Sequence, residues 1–543
     1  MKANKQSNTG ITRRIFLRGS AYSLGAIALN NERLMAEEKP GGAIREIALE
    51  ARVAEVELAP QRTVEAWTYD GKLPGTEIRV KEGERLRIAL KNNLPGETSV
   101  HWHGIHQKGT NDMDGVPGLT QPPIPAGGGM VYEFTTDRPG TYFYHSHSGL
   151  DIERGLYAPL IVEPENEPLS YDREYMLVLD DWLDGSPDLA YEQLKQGISP
   201  ADGLPEGSST TSRRGGPMGM PPKGGSMGHK GGSMGHKGGP MGHKGGPMGP
   251  KGGPMGPGGG PMGGGGQGSC RNSDISYSTY LINGRAPEAA PEFAVKRGDR
   301  VRFRVINAAG ATVFRLAIGG HKLTVTHTDG FPVQPVEVSA LEISPGERYD
   351  ILITANNPGA WPIAAISSGE PERAARATLR YTDARASSPP PLGFTPGELN
   401  GKLLDPSELI SPENLDFPLL ADRPDRIIDL AFSQRGSYDW KIVGKNGSHG
   451  PFEIHAGERV RVRMTSGMMS RMWHPMHLHG HSFRVISGHR NRNAAVKDTV
   501  LVRPTMHGRS EFEFLADNPG DWLFHCHHAY HLEAGMACVF KYV

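Results

Sequence analysis

Three stretches of this chain read alike, and a repeat of that kind fixes the architecture more firmly than any single motif. They are I-R-V-K-E-G-E-R-L-R-I-A-L from Ile78, F-A-V-K-R-G-D-R-V-R-F-R-V from Phe293 and F-E-I-H-A-G-E-R-V-R-V-R-M from Phe452. Each is a short strand, a Gly turn and an apolar/charged alternation, the pattern of a strand with one buried face. Roughly sixty residues on, each copy carries a second signature: R-P-G-T-Y-F-Y-H-S-H from Arg138, N-P-G-A-W-P-I-A-A-I from Asn357 and N-P-G-D-W-L-F-H-C-H from Asn518. Pro-Gly makes the turn and an aromatic-rich strand follows. Two signatures recurring in one order at similar spacing imply an all-β chain of three Greek-key β-sandwiches. The expected spans are 44–165, 166–385 and 425–543, with a leader at 1–43 and a Pro-rich connection at 386–424.

The middle copy carries an insertion, residues 215–266, built almost wholly of Gly, Pro, Met, Lys and His. Its seven-residue phase is marked by Met220, Met227, Met234, Met241, Met248, Met255 and Met262, joined by His229, His236 and His243. Gly and Pro at most other positions forbid a coiled coil, so a disordered loop is expected. The chain has 543 residues and a net charge of −1, which gives no global basic field for nucleic acid. No run of about 18 apolar residues exists, so no stable membrane association is expected. Near the N-terminus, T-R-R-I-F-L-R-G-S from Thr12 precedes a short apolar run and resembles a twin-arginine export signal, which implies a periplasmic, soluble protein.

The densest chemistry lies in H-C-H-H-A-Y-H-L-E-A-G-M, His525 to Met536. Two His, one Cys and a weak axial Met are the ligand set of a blue, electron-transferring copper. This stretch supplies Cys526, His531 and Met536, so one His must come from elsewhere. On an extended segment His525 and His527 point away from the Cys526 face, towards other metals. H-x-H spacing puts both imidazoles on one face of a strand, and four such pairs occur: His101/His103, His145/His147, His477/His479 and His525/His527. One copper cannot use eight imidazoles; three can. All four pairs fall in the outer copies. Aligning the middle copy places Leu316 and Ile318 at the His477 and His479 positions, and Ala364, Ala365 and Ile366 at His525, Cys526 and His527, so the middle unit reads as a spacer.

With these motifs the chain resembles the multicopper oxidases, the three-domain, cupredoxin-like group containing laccases and the bacterial periplasmic copper-efflux oxidases. The resemblance spans nearly the whole chain beyond the leader. It implies four copper ions. His474, Cys526 and His531 would hold the type 1 copper, with Met536 axial. His101 and His477 would hold type 2. His103, His145 and His527 would hold one type 3 copper, and His147, His479 and His525 the other. It also implies the reaction: four one-electron oxidations at type 1, coupled to reduction of O2 to two waters. Cys526, bonded through the backbone to His525 and His527, is then the electron bridge. Proton delivery needs an acid, and D-M-D-G offers Asp112 and Asp114; the Asp-Gly position of laccases matches Asp114. The efflux oxidases carry a Glu directly after the type 1 His, where this chain has Leu532, with Glu533 one later.

The expected partners are O2 and a small reductant, which could be Cu(I), a phenol or Fe(II), acting on a monomer. Thioethers prefer soft Cu(I), and Met is dense in the insertion and at Met464, Met468, Met469, Met472 and Met476. Efflux oxidases bind substrate copper partly through a Met two residues before the type 1 His, here Met472, and through an acid four residues before it, where this chain has Ser470. Cu(I) oxidation for copper tolerance, with accompanying phenol oxidation, is the favoured reading. A laccase for phenols and organics, or a copper-sequestering protein without turnover, are the alternatives. Of the three cysteines, Cys270 and Cys538 either pair or leave Cys538 as a small buried residue.

Overall fold

The computed structural model describes residues 44–198 and 273–543, apart from 369, 385, 386, 389, 437, 467–471, 487–490 and 504–508. The leader, the Met/His insertion, Cys270, Met468, Met469 and Ser470 lie outside the described residues. The described chain is nearly all β and forms three cupredoxin-like sandwiches from six sheets. Helix is confined to short pieces such as Pro187–Lys195 and Ala529–Glu533. None of the described helices is long and apolar enough to cross a membrane.

Each copy of the first repeated segment performs one construction step. Its short strand belongs to one sheet of the sandwich and its alternating strand to the other. Ile78–Lys81, Glu292–Val295 and Phe452–Ile454 pair in parallel with Tyr157–Glu163, Glu370–Tyr381 and Ala537–Tyr542. Arg85–Asn93, Arg300–Asn307 and Arg459–Ser466 pair in parallel with Arg45–Ala59, Arg173–Trp182 and Arg426–Arg435 in the opposite sheets. The turn between them carries Gly83, Gly298 and Gly457 at φ +82°, +92° and +86°. That left-handed backbone, which a side chain resists, swings the chain from one layer to the other.

The expected one-sided burial holds strictly in the first copy, where Arg85–Asn93 alternates exposed and buried along its whole length. In the middle copy it fails: Arg300–Asn307 is buried at every position after the first. The first domain covers its charged face. Thr141 donates to Asp350 Oδ1 (2.6 Å) and accepts from Arg304 (2.9 Å), while Arg302 reaches Asp350 and Glu167. A charge can stay in an interface only if it is paired, and these are.

The second signature also builds the same device in different copies. Asn518 Nδ2 donates to Gly480 O (2.9 Å), Trp522 Nε1 to Asn518 O (2.7 Å), and His481 Nε2 lies 2.7 Å from Tyr542 OH. Asn357, Gly320, Trp361, His321 and Tyr381 repeat those contacts in the middle copy. This shared brace fixes the register of the strands in front of it. His477 stands opposite His525, and Ala317 stands opposite Ala364. Ala317 and Gly319 therefore occupy the places of His477 and His479, one residue away from the Leu316 and Ile318 that sequence alignment suggests. Ala317, Gly319, Ala364 and Ile366 fill the middle copy where the third has imidazoles.

Candidate metal centre

In the first domain His101–His103 pairs antiparallel with Gly140–His145, which puts His101 opposite His145. In the third, His474–Leu478 pairs with Asp521–Cys526. Each outer domain thus carries two H-x-H pairs at the ends of neighbouring strands, and the two sets face each other. His101 stacks on His479 at 3.9 Å between ring centres, and His103 on His477 at 3.8 Å. All eight rings converge. His145 and His527 lie 5.1 Å apart, His103 and His527 5.0 Å, and His147 and His525 4.9 Å.

Metal ligation asks each ring for one free nitrogen and one anchored nitrogen. His101 Nδ1 donates to Asp114 O (2.7 Å), His477 Nδ1 to Asp498 O (2.9 Å), His145 Nδ1 to Ser146 O (2.9 Å) and His525 Nδ1 to Cys526 O (2.9 Å). His479 Nδ1 donates to Asp114 Oδ2 (2.8 Å). His103 is anchored the other way round, with Nε2 3.2 Å from Asp498 Oδ1. The opposite nitrogens, His101 Nε2, His103 Nδ1, His145 Nε2 and His477 Nε2, are buried without any partner, as are both nitrogens of His527. His479 Nε2 and His147 Nε2 lie 3.1 and 3.4 Å from His525 Nε2. Nitrogens sharing one ion at about 2.0–2.1 Å stand roughly 2.9–3.6 Å apart. Burial, reinforced for most by neighbouring imidazoles, drives the pKa of His103, His145, His147, His477, His479, His525 and His527 down. The rings are therefore neutral at pH 7, with lone pairs available. Orphaned buried nitrogens of this kind are costly unless something binds them, and the donor set fits metal ions.

Behind the opposite face of Asp521–Cys526 lies the second donor set. Cys526 Sγ is 3.8 Å from His474 Nδ1 and 3.6 Å from His531 Nδ1, and all three are buried. Burial pushes the Cys526 thiol up and His531 down to about 4, so metal entry here would release the thiol proton. Met536 is fully buried beside them, its carbonyl accepting from Cys526 N–H (3.0 Å) and its N–H donating to His531 O (2.9 Å). The Trp440 ring packs 4.5 Å from His531 and 5.0 Å from His474. Met472 is half-buried against the core that contains Cys526.

The acids separate cleanly. Asp112 is exposed, whereas Asp114 is fully buried between His101 and His479, with Oδ1 free of hydrogen bonds. Glu533 is half-buried, raised by its burial, and its charged neighbours are Asp188 and Lys195, away from the imidazole cluster. Sequence reasoning passed over Asp498, whose only signal is a K-D-T interruption of the otherwise apolar stretch A-A-V-K-D-T-V-L-V from Ala494. It also missed the middle domain's contribution. Arg348 forms a two-pronged pair with Asp498 (2.7 and 2.7 Å). A Cβ on Gly346, at φ +86°, would meet His527 Cδ2 at 2.9 Å and His103 Cε1 at 3.0 Å. The middle copy carries none of these imidazoles, yet it buttresses the cluster and is more than a spacer.

Comparison with known proteins agrees with this architecture. Family models described as multicopper oxidase match residues 51–167, 266–384 and 424–543. The chain is 37% identical over 493 residues to the multicopper oxidase MmcO of Mycobacterium tuberculosis, covering 88% of this chain and 84% of that one. It is 27% identical to a copper resistance protein A homolog of Pseudomonas syringae pv. tomato, covering 87% and 88%. Among solved structures it resembles Fet3p, described as a multicopper oxidase that functions in iron import, with a TM-score of 0.70 and 21% identity over 92% of this chain and 90% of that one.

Proposed function

This chain belongs to the multicopper oxidase family of oxidoreductases, and from that premise we propose that it oxidises Cu(I) one electron at a time, with phenols as accompanying donors, and passes the electrons to O2. Membership sets aside sequestration without turnover. In this reading His474, Cys526 and His531 hold type 1 copper with Met536 axial, and His101 and His477 hold type 2. One type 3 copper takes His103, His145 and His527, and the other His147, His479 and His525. The convergence of eight mostly orphaned imidazoles across the Cys526 strand carries the assignment. Four bound coppers would supply the redox chemistry: single-electron uptake at type 1 and four-electron reduction of O2 to water at the other three.

The remaining work falls to the chain's own atoms. Cys526 separates the two donor sets by one strand face, so the electron route to His525 and His527 is covalent throughout. Asp114 fixes the tautomers of His101 and His479 and offers Oδ1 as the atom that holds a proton for the oxygen site.

The choice of Cu(I) rests on soft thioethers: Met472, two residues before His474, and the Met/His repeat of the insertion. The relatives named for copper resistance support a role in copper tolerance; export by the twin-arginine route, read from Arg13-Arg14, and a monomeric state complete the proposal. Deleting residues 215–266 should raise KM for Cu(I) sharply; an unchanged KM would remove the insertion from the mechanism. The competing reading is a laccase for phenols, and the chain is 28% identical to Laccase-2 of Botryotinia fuckeliana. Phenol turnover that does not respond to excess Cu(II) would favour it.

A further inference from the structure

Glu153 lies in the short turn Asp151–Arg154 that follows the His145/His147 pair, and it has no part in either donor set described above. Its side chain is buried where the three domains meet. Oε1 accepts from Tyr277 OH of the second domain (3.0 Å), and Oε2 from Tyr530 OH of the third (3.1 Å). Tyr530 is itself fully buried, on the short helix Ala529–Glu533 that also carries His531. Gly310 closes the space, since a Cβ there would overlap Glu153 Oε1. Its carbonyl accepts from Ala529 N–H (2.8 Å) and its N–H donates to Asp181 Oδ1 (2.9 Å). Asp180 stands beside Asp181 and accepts from Tyr157 OH (2.5 Å). Among the described residues no cation pairs with Glu153. The adjacent Arg154 is held by Asp188 (2.5 Å) and lies over the Trp67 ring at 4.9 Å, while Asp151 on the same turn is taken up by Thr98 and Ser146. Burial, and then the Asp181 and Asp180 carboxylates, raise the Glu153 pKa well above the usual carboxylate range. Packing alone gives no return for burying an acid there, since a neutral amide would fill the place at lower cost.

We propose that Glu153 takes up one proton from solvent each time the type 1 copper takes up one electron. The inference rests on the oxidase reading above. Oxidation of that copper adds one positive charge beside the Tyr530 helix, in an interior where charges act more strongly than in water. That charge eases the proton off Glu153, and its loss on reduction draws the proton back. The donor supplies the electron and solvent the proton, so the pair enters with no net change of charge. An uncompensated electron in a buried site would cost more. Tyr530 ties the two events together, because its hydroxyl favours the carboxylate and its helix holds His531. Glu153 touches no ligand of the type 1 copper, and it acts through Tyr530 and through charge. The way to solvent is short: a cavity of about 310 Å³, lined by Glu153, Arg154, Trp67, Trp182 and Asp184, borders the turn. When the electron moves on through Cys526, the proton leaves the same way.

The test follows the blue absorption of the copper-loaded full chain in spectroelectrochemical titrations at a series of pH values. The wild-type type 1 potential should fall as pH rises, by up to about 59 mV for each tenfold drop in proton concentration, the slope of one proton per electron. Glu153→Gln keeps the shape but cannot take a proton, so its potential should stay level over the same range. Tyr530→Phe removes a hydrogen bond that favours the carboxylate, and should keep the slope while moving it to higher pH. Redox-difference infrared spectra should show a protonated-carboxyl C=O band that appears when the wild type is reduced and is missing from Glu153→Gln. A slope that survives Glu153→Gln, or a blue wild type whose potential does not change with pH, overturns the proposal. If Glu153→Gln does not fold, Tyr530→Phe decides: a slope left at its wild-type position overturns it equally. A copper-loaded wild type with no blue absorption refutes the type 1 reading itself, whereas a blue one with a level potential refutes only the proton uptake.

Discussion

Replacing Arg348 by methionine removes one half of a fully buried ion pair and leaves the other half in place. The guanidinium is 0% exposed, grips both oxygens of Asp498 at 2.7 Å, and donates to Thr141 O (3.1 Å) and Gly346 O (3.0 Å). Asp498 is equally buried, and the Lys497 ammonium is committed to Asp329 and Glu347 (3.1 Å each). Removing one partner of such a pair costs about 3–5 kcal/mol, because the remaining charge has neither water nor a counter-ion. At roughly 2–4 °C per kcal/mol for a cooperative unit of domain size, the melting temperature should fall by about 6–20 °C in calorimetry of the copper-loaded protein. Arg348→Lys keeps the charge but not the fork, so its loss should be smaller. Asp498 also faces His103 Nε2 and accepts from His477 Nδ1 through its carbonyl. Arg348→Met should therefore lower the type 2 and type 3 copper content while type 1 blue absorption is kept. A drop of less than 2 °C, with full copper content, would refute the argument that the middle domain steadies the cluster through this pair.

Gly346→Ala should act at the same place by crowding rather than charge: its Cβ would press on His527 and His103 at 2.9–3.0 Å from a left-handed backbone. Metal analysis should show copper lost from the cluster and O2 uptake reduced at least tenfold, with the blue band retained. Cys526→Ser should abolish both the blue band and turnover while far-ultraviolet circular dichroism stays native; a persistent intense blue colour would contradict the type 1 assignment. Asp151 is buried and accepts from Thr98 (2.9 Å) and Ser146 (2.8 Å), and burial raises its pKa to about 7. Against ~3.9 in the unfolded chain, that difference is worth roughly 4 kcal/mol. The folded state binds this proton more tightly, so the contribution is whole below about pH 4 and is lost as pH rises to about 7. Asp151→Asn should therefore melt higher than the wild type at pH 8, with the gain vanishing towards pH 4; a gain independent of pH would reject this account.

What the sequence determined by itself is what short-range periodicity can carry. Alternation over a few residues, a glycine turn and a Pro-Gly turn each have a local cause, and their threefold recurrence was enough for three sandwiches and for two outer domains rich in H-x-H pairs. The opposite facing of Cys526 and His525 follows from strand geometry alone. Pairing between strands is not local, and there the sequence was one residue out: only the ladder set by the Asn357–Trp361 brace shows that Ala317 and Gly319 stand where His477 and His479 do. The contrast between Asp112 and Asp114 likewise comes from packing, since two residues of turn separate an exposed carboxylate from a fully buried one. Asp498, Arg348 and Gly346 carry no motif. They matter because residues 150 apart in the chain, as Arg348 and Asp498 are, meet in a dry interior where an unpaired charge or an orphaned imidazole is costly. That pairing is a property of the folded interior, and tertiary structure alone decides it.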